Sequence, residues 1–426
     1  MINSIKFKRI LFLLSFLSCT SVFAQHKTID SLMNNLDYAG AVKCINTNSY
    51  NDTYSLIQKA EAWKNLGRMN QSLALLNEIL LSDSTNIQVY NEIASCYSLT
   101  GNDKLVLLTY QKALRLNPNN KSLFIKIAQT QFLIGEYAQT IQTCKTILKE
   151  DSIGYVTRLM AKCYTNLEKP EAAIEIYENL IDKDSLDYRS VVDLADLYMK
   201  QDSVKKAIVC TDAFIRNDSS NIEVNRSNAL SYFSNSDFKK ALTKYQNLFA
   251  LGDSTAMNYY YLGVCYFKEK VPSKAYDYLA RAKEKTKSKK PTVLYFYALA
   301  AFDIYFCDEG IDALQKAIEI MQPDSTTMHN LYTCLADGYL SKNESTKAIE
   351  TLKLALDYKI NRYQILYKIA YAYDLKDDYR NALTYYLNFL RSTEGADAIA
   401  SIQTLRKNAN FRISILDEKL RYSIPK

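Results

Sequence analysis

The sequence predicts an all-α protein built as an α-solenoid of stacked helical hairpins. Three observations lead there. A small residue returns about every 34 positions, at Ala60, Ala94, Ala128, Ala161, Ala195, Ala229, Gly263, Ala298, Ala336 and Ala370. Within each interval apolar residues fall at i, i+3 and i+4 twice over, separated by a polar turn, which is the pattern of two antiparallel amphipathic helices. Turn-dense β folds consume glycine and proline, and the 426 residues hold only 10 and 6 of them. With 48% hydrophobic and 23% charged residues the chain has the material for a substantial core. One hairpin cannot bury both its faces, so the rows must stack.

Residues 1–24 read as an export signal. Lys6, Lys8 and Arg9 precede the apolar run Ile10 to Leu17, and Val22-Phe23-Ala24 places a small residue at the cut. The run is too short to span a bilayer, and no later stretch is long enough. Cys19 offers the rival reading of a lipid anchor, opposed by Phe16, which stands where such signals carry Leu. Cleavage after Ala24 leaves 402 residues from Gln25, and removing the three leader cations lowers the formal charge from +7 to +4. That is too mild for a nucleic-acid partner. The expected destination is the periplasm or an association with the outer membrane.

Residues 25–52 hold a shortened capping hairpin, Ile29 to Leu36 and Tyr38 to Thr47. Rows one to seven fill 53–290, rows eight to ten fill 291–395, and capping helices with a tail occupy 396–426. Row two shows the logic. Tyr90, Ile93, Ala94 and Tyr97 line one helix, Gly101-Asn102-Asp103 makes the turn, and Val106, Tyr110 and Ala113 line the next before Asn117-Pro118-Asn119-Asn120 stops it. Two longer spacings, Lys283 to Pro291 and Gln322 to Met328, are the expected joints.

Three residues after most of the small ones stands an aromatic: Trp63, Tyr97, Tyr164, Tyr198, Tyr232, Tyr266, Tyr339 and Tyr373. A second column reads Ser72, Val106, Thr140, Ala173, Ala207, Ala241, Ala275, Gly310, Ala348 and Ala382. On these residues the chain resembles the tetratricopeptide repeat (TPR) family over ten rows, from Thr53 to about Gly395. The resemblance implies a right-handed superhelix and binding of peptides along a concave face lined by the first helix of each row. The family's proline near the end of the repeat survives only as Pro118. Asp83-Ser84, Asp151-Ser152, Asp184-Ser185, Asp218-Ser219 and Asp253-Ser254 recur in its place, expected to end one helix and cap the next.

The positions that line the concave face in the family give two surfaces here. Rows six to eight offer an apolar stripe, Leu230, Phe233, Met257, Tyr260, Val264, Phe267, Tyr295, Leu299 and Phe302. Exposed, it is a partner site; buried by curvature or by the terminal helices, it is internal packing. Rows four and five present Arg158, Lys162 and Arg189, with Asp196 nearby, a place for an anion or a solvated basic patch. The family's carboxylate clamp is not carried over, since Arg158, Lys162 and Asp193 stand at its Lys and Asn positions. Lys283, Lys285, Lys287, Lys289 and Lys290 read as a solvated basic loop without the interleaved aromatics that nucleic-acid binding needs.

Catalytic constellations are missing from the sequence. Only His26 and His329 are available for acid/base or metal work, no CxxC occurs, and no phosphate loop, GxSxG or HExxH motif is present. No cofactor or metal is expected. Cys96, Cys163 and Cys265, with Cys44 and Cys210, sit at columns where small side chains pack between helices, and Cys144 and Cys163 are the one pair on adjacent helices. The sequence thus predicts a non-enzymatic scaffold that binds other proteins in the bacterial cell envelope. The alternatives are an accessory subunit of a secretion, outer-membrane assembly or polysaccharide-export machine and, from another class, a sugar-binding receptor or enzyme.

Overall fold

The computed structural model describes residues 26–149, 153–320, 325–358, 360, 362–394 and 400–422. The expected export signal with Cys19, Gln25, the Asp151-Ser152 pair and residues 423–426 lie outside the described residues. Among those described, all regular structure is α-helical. Helices α1 (26–34) and α2 (Tyr38–Thr47) form the opening hairpin. Four hairpins follow: α3 (Thr53–Asn65) with α4 (Met69–Ser82), α5 (Ile87–Leu99) with α6 (Asp103–Leu116), α7 (Lys121–Leu133) with α8 (Tyr137–Leu148), and α9 (Gly154–Asn166) with α10 (Pro170–Lys183). Six more are α11 (Tyr188–Lys200) with α12 (Val204–Asn217), α13 (Ile222–Ser234) with α14 (Phe238–Ala250), α15 (Ala256–Lys268) with α16 (Pro272–Lys285), α17 (Pro291–Asp303) with α18 (Cys307–Ile320), α19 (Ser325–Ser341) with α20 (Ser345–Asp357), and α21 (Arg362–Leu375) with α22 (Tyr379–Ser392). A single long helix, α23 (Ala400–Tyr422), follows them.

The helices fall into two compact units that divide between Asp184 and Ser185. In each unit the two helices of every hairpin pack together, and each hairpin packs on the next. The small-residue columns explain why they can. Ala60, Ala94, Ala128, Ala161, Ala195, Ala229, Ala298, Ala336 and Ala370 are all buried, as are Ser72, Thr140, Ala173, Ala207, Ala241, Ala275, Ala348 and Ala382 of the second column. A missing side chain there is a close approach of helices. At Gly263 an added Cβ would lie 3.1 Å from the Leu279 backbone nitrogen, so α15 and α16 touch through that glycine.

Helix ends depart from the expected capping in one respect. Asp83, Asp184 and Asp218 do terminate α4, α10 and α12. The oxygens of Asp83 and Asp218, however, accept from the amides of Thr85 and Ser220, two residues on, closing turns in the connection rather than capping the next helix. The caps of α5, α11, α13 and α15 are Asn86, Asp187, Asn221 and Thr255, whose side chains accept from Val89, Ser190, Val224 and Asn258. An Asx-turn needs its aspartate outside the helix, which leaves the cap to a residue two or three positions later. The expected joint at Gln322 to Met328 is also shorter than its spacing suggests, because α19 starts at Ser325. Helices α16 and α17, flanking the 283–291 spacing, pack against each other.

Every turn inside the ten hairpins places one residue in the left-handed region. It is glycine in the first three, Gly67, Gly101 and Gly135, and then Glu168, Asp202, Ser236, Lys270, Tyr305, Asn343 and Asp377. Tyr305 is the costliest, a bulky residue at φ 66°. Its turn is a Schellman closure, with Phe306 N donating to Ala301 O at 2.8 Å, and its ring is 89% exposed, so nothing packs in return. Tyr305→Gly should therefore stabilise the second unit by about 0.5–1 kcal/mol, the steric relief exceeding the entropy glycine adds to the unfolded chain. A urea titration reads this as a higher midpoint at unchanged slope.

Candidate partner-binding site

In the second unit the first helices of successive hairpins lie along one face, where α11 packs on α13, α15 on α17 and α17 on α19. The apolar stripe runs along these helices, and its members differ in what they touch. Met257 is exposed, and Leu230, Phe233, Tyr260, Phe267, Tyr295, Leu299 and Phe302 are half-buried. Val264 is only 1% exposed and belongs to the core. Several of the aromatics form a ladder: Phe233 meets Phe238 and Tyr261 edge-on, Tyr260 and Phe267 each meet Phe296, and Tyr295 meets Phe296. Phe302 packs against Gly310 and Gly338, its ring lying within 2.7 Å of where a Cβ on either would be.

Beside Leu230 and Met257 lies a pocket of about 420 Å³ formed by α11, α13, α14 and α15. Val192, Leu230, Met257 and Tyr261 give it an apolar wall, and Asp196, Glu223, Arg226 and Asp253 give it charge. Ser227, Tyr245 and Asn258 also line it, and each is at least nine-tenths buried. Their Oγ, phenolic oxygen and Oδ1 have no hydrogen-bond partner within the chain. The Tyr245 ring is held by a parallel stack on Tyr261 at 5.3 Å. Burial, then the neighbouring Tyr261, pushes the Tyr245 phenol far above its ordinary range, so it stays a neutral hydroxyl.

Sequence reasoning placed Leu230 and Met257 here and noted Asp196, but missed Ser227, Tyr245 and Asn258. A signal existed. Asn258 occupies a column filled by Val89, Leu123, Val156, Val224 and Val293 in other rows, and α13 carries Asn225, Ser227, Asn228 and Ser231 as buried polar residues. Some of their groups are engaged: Asn228 Nδ2 donates to Thr211 Oγ1 and Asp212 Oδ1, both at 2.9 Å, though its Oδ1 has no partner, and Asn225 Nδ2 donates to Asn221 O at 2.8 Å. Desolvation raises the Asp212 pKa, but hydrogen bonds from Tyr232 and Asn228 and the charge of Lys244 outweigh it, so the carboxyl titrates below the usual range. Of the seven buried side-chain atoms left unpaired among the described residues, three belong to the pocket lining.

One wall of the pocket is an ionic clasp. Arg226 Nε donates to Asp253 Oδ2 at 2.7 Å and its Nη1 to Glu223 Oε1 at 2.9 Å, while the Asp253 side chain is 1% exposed. The Arg226 hydrogen bond holds the Asp253 carboxyl below its ordinary value of 3.8. A carboxyl depressed in the folded state stabilises above its unfolded pKa, and the contribution is lost as pH falls through the folded one. The wild type should therefore lose stability below about pH 4, and Arg226→Met should flatten that part of the profile while lowering stability at pH 7. Thermal unfolding between pH 2 and 7 measures both.

The basic residues fall in both units. Arg158 and Lys162 sit on α9 in the first unit, whereas Arg189 belongs to α11 in the second, where its Nε donates to the Tyr188 hydroxyl at 3.1 Å. The lysine run is only partly a loop. Lys283 and Lys285 are in the last turn of α16, and the Lys283 ammonium lies 3.7 Å from the Tyr297 ring centroid. Desolvation there lowers the Lys283 pKa.

The eight described cysteines are free thiols. Cys96, Cys144, Cys163 and Cys265 are buried, while Cys44 and Cys210 are half-buried. Desolvation pushes Cys144 up to about 12 and Cys163 to about 11, which keeps both protonated and unreactive at neutral pH. His329 is buried, its Nδ1 donating to Ala355 O at 3.2 Å, and His26 pairs with Asp52 at 3.0 Å. Among the described residues no group of three or more His, Cys, Asp or Glu could hold a metal ion, and no helix is long and apolar enough to cross a membrane.

Among the described residues, ten helix pairs with small residues at their contacts and a turn at constant register define a helical-repeat protein whose fold is that of a protein–protein interaction scaffold. A tetratricopeptide-repeat family model matches residues 87–120, the α5–α6 hairpin, and a model described as anaphase-promoting complex, cyclosome, subunit 3 matches residues 245–317. The chain is a tetratricopeptide-repeat protein. Among curated proteins none matches it. Among solved structures it is similar to the APC/C hetero-tetramer Cut9-Hcn1, at 16% identity, TM-score 0.45, covering 90% of this chain and 83% of that one. It is also similar to pilF of Pseudomonas aeruginosa, at 16% identity, TM-score 0.42, covering 52% and 96%. A tetratricopeptide repeat protein from Parabacteroides merdae gives 14% identity, TM-score 0.38, covering 66% and 97%.

Proposed function

We propose that the chain is an exported, non-enzymatic scaffold of the bacterial cell envelope that holds a segment of another protein along the first-helix face of its second unit. The observation that carries the reading is that face itself. Exposed Met257 and half-buried Leu230, Tyr260, Phe267, Tyr295 and Leu299 lie on helices that pack side by side, next to a pocket with polar groups in its wall. A half-covered aromatic surface bordering a pocket is what a partner's anchor residues fill. The export signal at 1–24 supports the envelope assignment. Phe302 and Val264 are left out of the contact, because both pack within the unit.

The test is crosslinked affinity capture from the source cells, comparing wild type with Leu230→Asp/Met257→Asp after circular dichroism shows the variant folded. A defined set of envelope proteins captured by wild type and lost in the variant is the expected result. Equal capture by both forms places the contact elsewhere and overturns the site. Recovery of the tagged chain from the cytoplasmic fraction overturns the localisation.

A further inference from the structure

The pocket bounded by Ser227, Tyr245 and Asn258 has a chemistry more specific than an apolar groove. Its lining carries the carboxylates Asp196, Glu223 and Asp253 and one guanidinium, Arg226, which bonds Glu223 and Asp253. Three single acceptor atoms, Asn258 Oδ1, Ser227 Oγ and the Tyr245 phenolic oxygen, are unpartnered within the chain. Asn258 can only accept at this point, because its Nδ2 already donates to Asp253 O at 2.7 Å. Leaving such atoms unpaired in the interior costs free energy, and a fold that keeps three of them around one pocket has a use for them. Its apolar wall of Val192, Leu230, Met257 and Tyr261 matches an aliphatic stem.

We infer that the pocket receives a lysine side chain of the partner polypeptide, its four-carbon stem against Leu230, Met257 and Tyr261 and its ammonium directed to Asn258, Ser227 and Tyr245 under the field of Asp196 and Glu223. Three donors on an ammonium match three separate acceptors, whereas the flat fork of a guanidinium is suited to a bidentate carboxylate that Asp253 already commits to Arg226. The acceptor atoms have almost no exposed surface, so the head group reaches them as a lining side chain moves aside. Met257, unbranched and 46% exposed, is the one with most freedom to do so. The inference rests on the reading of this face as a partner site and names the residue type that anchors there.

The experiment follows the Met257 methyl resonance in full-length protein labelled with methyl-13C methionine and assigned with Met257→Leu. The probes are N-acetyl-lysine methylamide, its norleucine and arginine counterparts, and n-butylamine. A saturable shift with the lysine derivative, absent with norleucine and at least about tenfold weaker in Tyr245→Phe and in Asp196→Asn, is the expected result. Tyr245→Phe should melt no lower than wild type, since it removes an unpaired hydroxyl, so lost binding is not lost folding. Equal shifts with norleucine, tighter binding of the arginine derivative, or no shift at all overturns the inference. Butylamine presents the same stem and ammonium and should shift the same resonance; no shift with butylamine would place the contact in the amide groups of the derivative and overturn the assignment. Partner capture that persists without lysine binding leaves the scaffold reading standing and this one overturned. Lysine binding without partner capture overturns the scaffold reading and, with it, the assignment of the lysine to a partner, leaving only a pocket that binds an alkylammonium.

Discussion

Arg412→Ala is expected to destabilise the second unit by about 3 kcal/mol, the largest single effect of any charged residue described here. Arg412 lies on α23 and reaches back to α21, where Nε donates to Asp374 Oδ2 and Nη2 to Asp374 Oδ1, both at 2.7 Å. The Asp374 side chain is 6% exposed, and its other neighbour is the buried Tyr386 hydroxyl at 3.5 Å. Deleting the guanidinium leaves a carboxylate inside the end of the solenoid with one long hydrogen bond. The Arg412 side chain keeps 37% of its exposure, so solvent screens part of the pair and the expected loss sits at the low end of the range for buried ion pairs. The two-sided test is Arg412→Met with Asp374→Leu. Replacing both partners by apolar groups should recover most of the loss, because the cost is an orphaned charge more than a missing attraction. Failure of the double variant to recover would mean that α23 is held by the ion pair itself. Hydrogen exchange should show α23 opening first in the single variant, since Ile402, Ala409 and Leu416 are its buried anchors.

The register of the repeats was legible in the sequence because the physics at those columns permits few residues. Where two helix backbones touch, only Gly, Ala, Ser or Thr fits at most rows, and a period of about 34 follows. The opening of α3 at Thr53 and the turns around Gly67, Gly101 and Gly135 could be read for the same reason. What could not be read was depth. Helical periodicity says which face a residue is on, and Val264 and Met257 are on the same one. Yet one is 1% exposed and the other 46%, because cover comes from the side chains of the next hairpins. The pocket was hidden for a related reason. Tyr245 stands at the repeat position that Tyr110, Tyr177 and Tyr386 also fill and reads as packing, and only three-dimensional placement shows its hydroxyl left over beside Ser227 and Asn258. The division after Asp184 likewise falls in a spacing of ordinary length.

Phe302→Ala should cost about 3 kcal/mol, and the reason lies in two glycines. The Phe302 Cδ1 lies 2.7 Å from where a Gly310 Cβ would be, and its Cζ lies 2.7 Å from the corresponding point at Gly338. The ring thus occupies space that two missing side chains provide, one on α18 and one on α19. Truncating it opens a void among Gly310, Gly338 and Ile311 that backbone alone cannot fill. The converse change, Gly310→Ala, pushes a methyl into the ring and should cost about 1–3 kcal/mol as overpacking. Combined, the two changes should cost less than their sum, because the new methyl partly fills the space the ring vacates. A partner contact behaves otherwise: an outward-facing phenylalanine loses little stability when cut to alanine and shows no coupling to Gly310. Denaturant titration of the four forms decides between these outcomes, and a coupling near zero would return Phe302 to the binding face. The expected coupling also means that a triple Phe233→Asp, Phe267→Asp, Phe302→Asp variant reports on folding before it reports on binding. Leu230 and Met257, which border the pocket, are therefore the positions at which partner capture is read without unfolding the hairpins.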